Sequence, residues 1–80
     1  MKITVKLIAT YRKLLPEGTI GNKTQIDVSE GSTVADVLGQ FGVPLDDTTA
    51  IAVNGLTTLP FSTVLTEGDE VAAFNAVAGG

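Results

Sequence analysis

The sequence predicts an α+β fold in two layers, a mixed four- to five-stranded sheet with one main helix packed on one face. Three observations carry that reading. Two short alternating strands open the chain, one amphipathic stretch follows them, and further strand-like runs divided by turn residues complete it. Eighty residues make one small domain, which buries only about 60% of the surface its unfolded chain exposes. An apolar fraction of 44% is ordinary for a globular chain and too high for a disordered one.

Residues 2–8, KITVKLI, place Ile3, Val5 and Leu7 on one face and Lys2, Thr4 and Lys6 on the other, the pattern of a half-buried strand. The long connection 9–23 holds Pro16, Gly18 and Gly21, and its Tyr11, Leu14 and Leu15 have the spacing of one helical turn tucked onto the core. Arg12 and Lys13 read as the solvated face of that turn. A second alternating strand, TQIDV (24–28), forms a wide hairpin with the first.

In SEGSTVADVLGQFGVP (29–44), Ser32 or Thr33 is the N-cap, and Asp36 gives Thr33 a weak capping-box partner. Val34, Val37, Leu38 and Phe41 form one apolar stripe, Gly42 stops the helix and Pro44 prevents its continuation. A helix of about three turns is expected, with Gly39 marking a close approach inside it. IAVNG (51–55) reads as a strand ending in an Asn-Gly turn. Residues 56–61, LTTLPF, are irregular, and Pro60 makes them an edge strand at best. TEGDEV (66–71) is a turn feeding the last strand, 70–74. Right-handed crossover rules then pair the first and last strands at the centre of the sheet. That is the β-grasp, or ubiquitin-like, arrangement, with a domain over 1–74 and a flexible Gly-Gly tail over 75–80.

Composition removes several functions. Without cysteine there is no disulfide, thiolate zinc site or cysteine nucleophile, and without histidine the usual general base and metal ligand are gone. No metal site and no catalysis by this chain are expected. The carboxylate pairs Asp46-Asp47 and Asp69-Glu70 fall in turns or strand starts, where acids cap and solvate. A net charge of −4 argues against nucleic acid, since no basic stripe faces phosphates, and permits steering toward a basic protein partner. No apolar run is long enough to cross a bilayer and the first residues carry no signal pattern, so a cytoplasmic location is expected.

The segments AVNG (52–55), TEGDEVAAF (66–74) and AVAGG (76–80), with a weaker YRKLLPEG (11–18), resemble the small subunit of molybdopterin synthase (MoaD-like). They are also similar to the related thiazole-forming sulfur carrier (ThiS-like). Asn75-Ala76 stands where molybdopterin members typically carry two prolines, which is closer to the thiazole carriers. The long first connection suits the molybdopterin type, which is the reading favoured.

That resemblance implies a chemistry for the end of the chain. The Gly80 carboxylate, a poor electrophile when ionised, would be adenylated and then converted to a thiocarboxylate. With no cysteine to hold a persulfide, carried sulfur has only this position. Val77, Ala78 and Gly79 form the rest of the tail, which extended with Asn75 and Ala76 reaches about 20 Å into a partner's site. No cofactor is bound, and ATP belongs to the activating partner. The partners implied are an E1-like adenylyltransferase (MoeB/ThiF-like), a molybdopterin synthase large subunit (MoaE-like) and a sulfur donor such as a cysteine desulfurase or rhodanese. Phe74, Leu59 and Phe61 are the candidate partner-binding residues; Leu56 and Phe74 lean toward the core. The alternatives are a carrier for thiamine thiazole synthesis, a ubiquitin-like modifier joined to lysines through Gly80, or a plain interaction module.

Overall fold

The computed structural model describes residues 1–76. In chain order these form β1 (Lys2–Leu7), a 3₁₀ helix (Ala9–Leu14), β2 (Lys23–Asp27), α1 (Val34–Gly39), β3 (Thr49–Val53) and β4 (Glu70–Asn75). The strands make one sheet in the order β2-β1-β4-β3. β1 and β4 are parallel neighbours at its centre, and the two outer pairings are antiparallel. This is the expected β-grasp, with four strands.

Period-two alternation decides what faces the helix. Ile3, Val5 and Leu7 of β1, Ile51 and Val53 of β3, and Val71 and Ala73 of β4 are buried beneath Val34, Val37 and Leu38 of α1. Registers Val5↔Val71, Leu7↔Ala73 and Ile51↔Ala73 stack these side chains in rows across the sheet, so the hydrophobic contribution concentrates on the central strands. Tyr11 and Leu15 close one end of the core and Val43 and Leu65 complete it.

The helix is shorter than expected. Its α portion covers six residues, Val34–Gly39, and then tightens, with the amides of Gln40, Phe41 and Gly42 donating to the carbonyls of Val37, Leu38 and Gly39. Gly42, at φ +78°, ends it: its N–H reaches Gly39 O while the Val43 N–H reaches Leu38 O at 3.3 Å, a Schellman closure that needs the left-handed conformation. The capping box forms in both directions, the Asp36 N–H to Thr33 Oγ1 at 3.2 Å and the Thr33 N–H to Asp36 Oδ2 at 3.0 Å.

Gly39 does not mark a close approach. A Cβ built there meets nothing within 4 Å, and its φ is not left-handed. Gly39→Ala is therefore expected to stabilise the domain by about 0.5–1 kcal/mol, read as a raised urea midpoint at unchanged slope.

The segment 56–61 is not a strand. Leu56 pairs back on Val53 through two reciprocal 2.9 Å backbone bonds around Asn54 (φ +50°) and Gly55 (φ +85°), a two-residue turn that suits Asn-Gly. Farther on, the carbonyls of Phe61 and Thr63 accept the Ala35 and Val34 amides at 2.9 and 3.0 Å. With the Thr33 N–H on Asp36 Oδ2 and the Asp36 N–H on Thr33 Oγ1, all four N-terminal donors of α1 are satisfied. The loop is irregular because its backbone serves the helix end rather than the sheet.

Candidate functional site

The site is built where β4 finishes. The Ala76 N–H donates to Thr48 O at 2.8 Å, so sheet bonding continues one residue past β4 and Asn75 and Ala76 stay attached to the domain. The remainder of the expected tail, Val77, Ala78, Gly79 and Gly80, lies outside the described residues.

Two elements flank this exit. On the β1 side, the Ile8 N–H bonds Ala73 O at 3.1 Å and the chain turns through Ala9 (φ +53°) into the 3₁₀ helix with its exposed Arg12 and Lys13. On the β3 side lie exposed Asp46 and Asp47. Asp46 accepts bonds from the Thr48 hydroxyl and amide, which lower its carboxyl below the usual aspartate range. Opposite charges thus stand on the two sides of the departing chain. Tyr11 and Thr49 tie these sides together through a buried 2.6 Å hydroxyl–hydroxyl bond.

The face of the sheet away from α1 is divided. Lys2, Thr4, Lys6, Lys23, Gln25 and Asp27 make its β1–β2 half polar, while beyond Glu70 at the start of β4 the β3–β4 half is lined by Ala50, Ala52, Ala72 and Phe74, with Ala50↔Phe74 and Ala52↔Ala72 directly opposite. Three alanines leave a flat apolar platform beside the half-buried Phe74 ring. Phe74, a candidate for partner binding that the sequence leans toward the core, lies outside the core cluster on this open face. The alanines are not singled out by the sequence reading, and their available signal is the small residue at alternate positions of AIAV and VAAF.

Leu59 and Phe61 are placed elsewhere, partly buried and packed against the core in the segment that caps α1. Leu56 is 60% exposed, contrary to its expected core role, because the Asn54-Gly55 turn carries it outward. The motif residues of 52–55 and 66–71 meet in one clasp. Asn54 Nδ2 donates to Asp69 Oδ1 at 2.9 Å, and the Glu70 N–H donates to Asn54 Oδ1 at 2.9 Å. The Thr66 N–H donates to Asp69 Oδ2 at 2.8 Å. Accepting these bonds lowers the Asp69 carboxyl, the Thr66 amide having the largest effect. Asp46 and Asp69 therefore cap turns as expected, while Asp47 is exposed and the Glu70 carboxylate lies 3.2 Å from Lys23 Nζ.

Among the described residues no group of acids is disposed to hold a metal ion, and no helix is long and apolar enough to cross a membrane.

The model of the ThiS family matches residues 5–80. Among solved structures, a molybdopterin converting factor subunit 1 from Pyrococcus furiosus is 28% identical with a TM-score of 0.71, covering 95% of this chain and 98% of that one. A Haloferax volcanii protein solved in solution is 26% identical at a TM-score of 0.77, covering 100% and 87%. SAMP1 of the same organism shares the fold at 24% identity and a TM-score of 0.76, covering both chains fully. No curated protein matches the chain.

Proposed function

The chain belongs to the ThiS family, and on that premise we propose that it is a sulfur carrier whose Gly80 carboxyl is adenylated and then thiocarboxylated. The observation that carries the reading is the family match running to Gly80 behind a β4 held on both sides by the sheet. Such an arrangement anchors the chain at Ala76, with the Phe74–alanine platform beside it for docking. The chemistry resides in partners. An E1-like adenylyltransferase supplies the acyl adenylate from ATP, and a cysteine desulfurase or rhodanese supplies sulfur. Attack of the donor's persulfide sulfur on the acyl carbon expels AMP and leaves an acyl disulfide to the donor. A thiol then cleaves that S–S bond by forming a disulfide with the donor sulfur, so that the terminal C–OH is replaced by C–SH. The thiocarboxylate sulfur is then the nucleophile, and the chain is consumed and regenerated rather than catalytic.

For the acceptor we propose a pterin held by a molybdopterin synthase large subunit. The long first connection and the likeness to the Pyrococcus furiosus subunit support this over a thiazole precursor.

The test is the intact mass after incubation with ATP, the activating enzyme and a sulfur donor. A gain matching one oxygen-to-sulfur exchange, confined to the C-terminal peptide and absent from a Gly80-deleted chain, is expected. No gain, with the enzyme active on a control carrier, would sink the proposal. Reductant-resistant conjugates to lysines would identify a modifier instead.

A further inference from the structure

β2 is the outer strand beyond β1, and among the described residues its far side is open. The phase of the β1–β2 ladder shows which backbone groups are free. The Leu7 N–H bonds Asn22 O and the Val28 N–H bonds Met1 O, so the pairs 22/7 and 28/1 exchange hydrogen bonds. In an antiparallel ladder every second pair does so. Thr24 and Ile26 therefore face β1, and the N–H and C=O groups of Lys23, Gln25 and Asp27 point outward.

The side chains of those three residues lie on the open face in the order plus, neutral, minus. An antiparallel copy of the same strand, centred on Gln25, sets each Lys23 against Asp27 of the other copy. It also uses every outward backbone group. Sliding the centre to residue 23 sets lysine against lysine, and sliding it to residue 27 sets aspartate against aspartate. The one register that engages all three open positions is the one that pairs the charges.

The isolated chain carries a mismatch that this pairing relieves. Lys6 and Lys23 are directly opposite on β1 and β2, a destabilising like-charge neighbourhood. Within the chain, Lys23 is offset by Glu70 at 3.2 Å and Asp27 by Lys2 at 3.4 Å across the open face, all four side chains being exposed enough to exchange partners. Ile20, 94% exposed, stands three residues ahead of the strand and adds apolar surface on the approach to it.

We propose that β2 is a self-recognition edge, through which two copies form a twofold dimer with one continuous eight-stranded sheet. The twofold axis passes between the paired Gln25 residues, perpendicular to the sheet, so both helices lie on the same side. Charged edge strands ordinarily repel other strands. Here the same charges admit the chain's own β2 in one register and disfavour other sequences. β4 is separated from this edge by β1, so dimerisation leaves the exits at Ala76 open in both copies. The contact is small for a stable complex, and a weak dimer, sensitive to salt, follows.

Sedimentation velocity against concentration, at low and high salt, tests this on the full chain. Dimer is expected to be populated by about 1 mM protein. Gln25→Pro removes only an outward donor, which an edge strand tolerates, and is expected to abolish the dimer while the melting curve stays cooperative. Lys23→Glu and Asp27→Lys are each expected to weaken self-association by about tenfold or more. An equimolar mixture of the two is expected to restore it as a heterodimer, because both cross-pairs are then complementary. A monomer throughout that range overturns the proposal. So does a dimer unaffected by Gln25→Pro, or charge-reversed variants that do not recover on mixing.

Discussion

Leu38→Ala is expected to lower the stability of the domain by about 3 kcal/mol, and its melting temperature by roughly 12–24 °C. Leu38 is fully buried on a helix whose α portion spans six residues, so few other side chains from that layer can fill the space it leaves. Val34 and Val37 are the only other buried side chains within α1, and both are β-branched and stiff. A partly uncollapsed cavity is therefore expected rather than a repacked core. For a chain of this length total stability is roughly 4–12 kcal/mol, so this one truncation removes a quarter or more of it. Urea titration with an unchanged slope would check the value. A loss under about 1 kcal/mol would show that the helix layer collapses onto the sheet, against the packing derived above.

The same short helix shows what the sequence made legible. Ile3, Val5 and Leu7 were readable because a strand writes its burial as simple alternation. Thr33 and Asp36 were readable because a cap acts within four residues of sequence. The irregularity of 56–61 was readable from Pro60, but its role was not, because the Ala35 and Val34 amides reach the Phe61 and Thr63 carbonyls across a long stretch of chain and leave no local mark. Tyr11 was expected on the core, but its hydroxyl bond to Thr49, 38 residues away, could not be foreseen. Gly39 misled for another reason: glycine in a helix marks either contact or empty space, and only the surroundings distinguish them. At the site, Phe74 stood out as an aromatic, while Ala50, Ala52 and Ala72 gained meaning only once register placed them side by side.

Asp69→Ala is expected to destabilise the domain by about 1.5 kcal/mol, near the lower end for hydrogen bonds to a charged acceptor because the clasp is only partly buried. Its carboxylate holds the Thr66 N–H and hydroxyl and the Asn54 amide, while its backbone carbonyl accepts from the Thr4 N–H at 3.0 Å. The carboxylate thereby fixes the Asn54-Gly55 turn to the turn that starts β4. An Asn54→Ala/Asp69→Ala double mutant is expected to lose less than the sum of the two singles, since they share one bond. Acid should dissolve the same clasp. The folded-state pKa of Asp69 lies below the ordinary 3.8, so its stabilisation is fully present above the unfolded value. It is lost as pH falls through the folded value. The stability gap between the native chain and Asp69→Asn is accordingly expected to be constant above about pH 5 and to shrink below 3.8. A gap that stays constant down to about pH 2 would mean that the charge of Asp69 contributes nothing. The residues resembling the family in 52–55 and 66–71 would then owe their pattern to turn geometry alone.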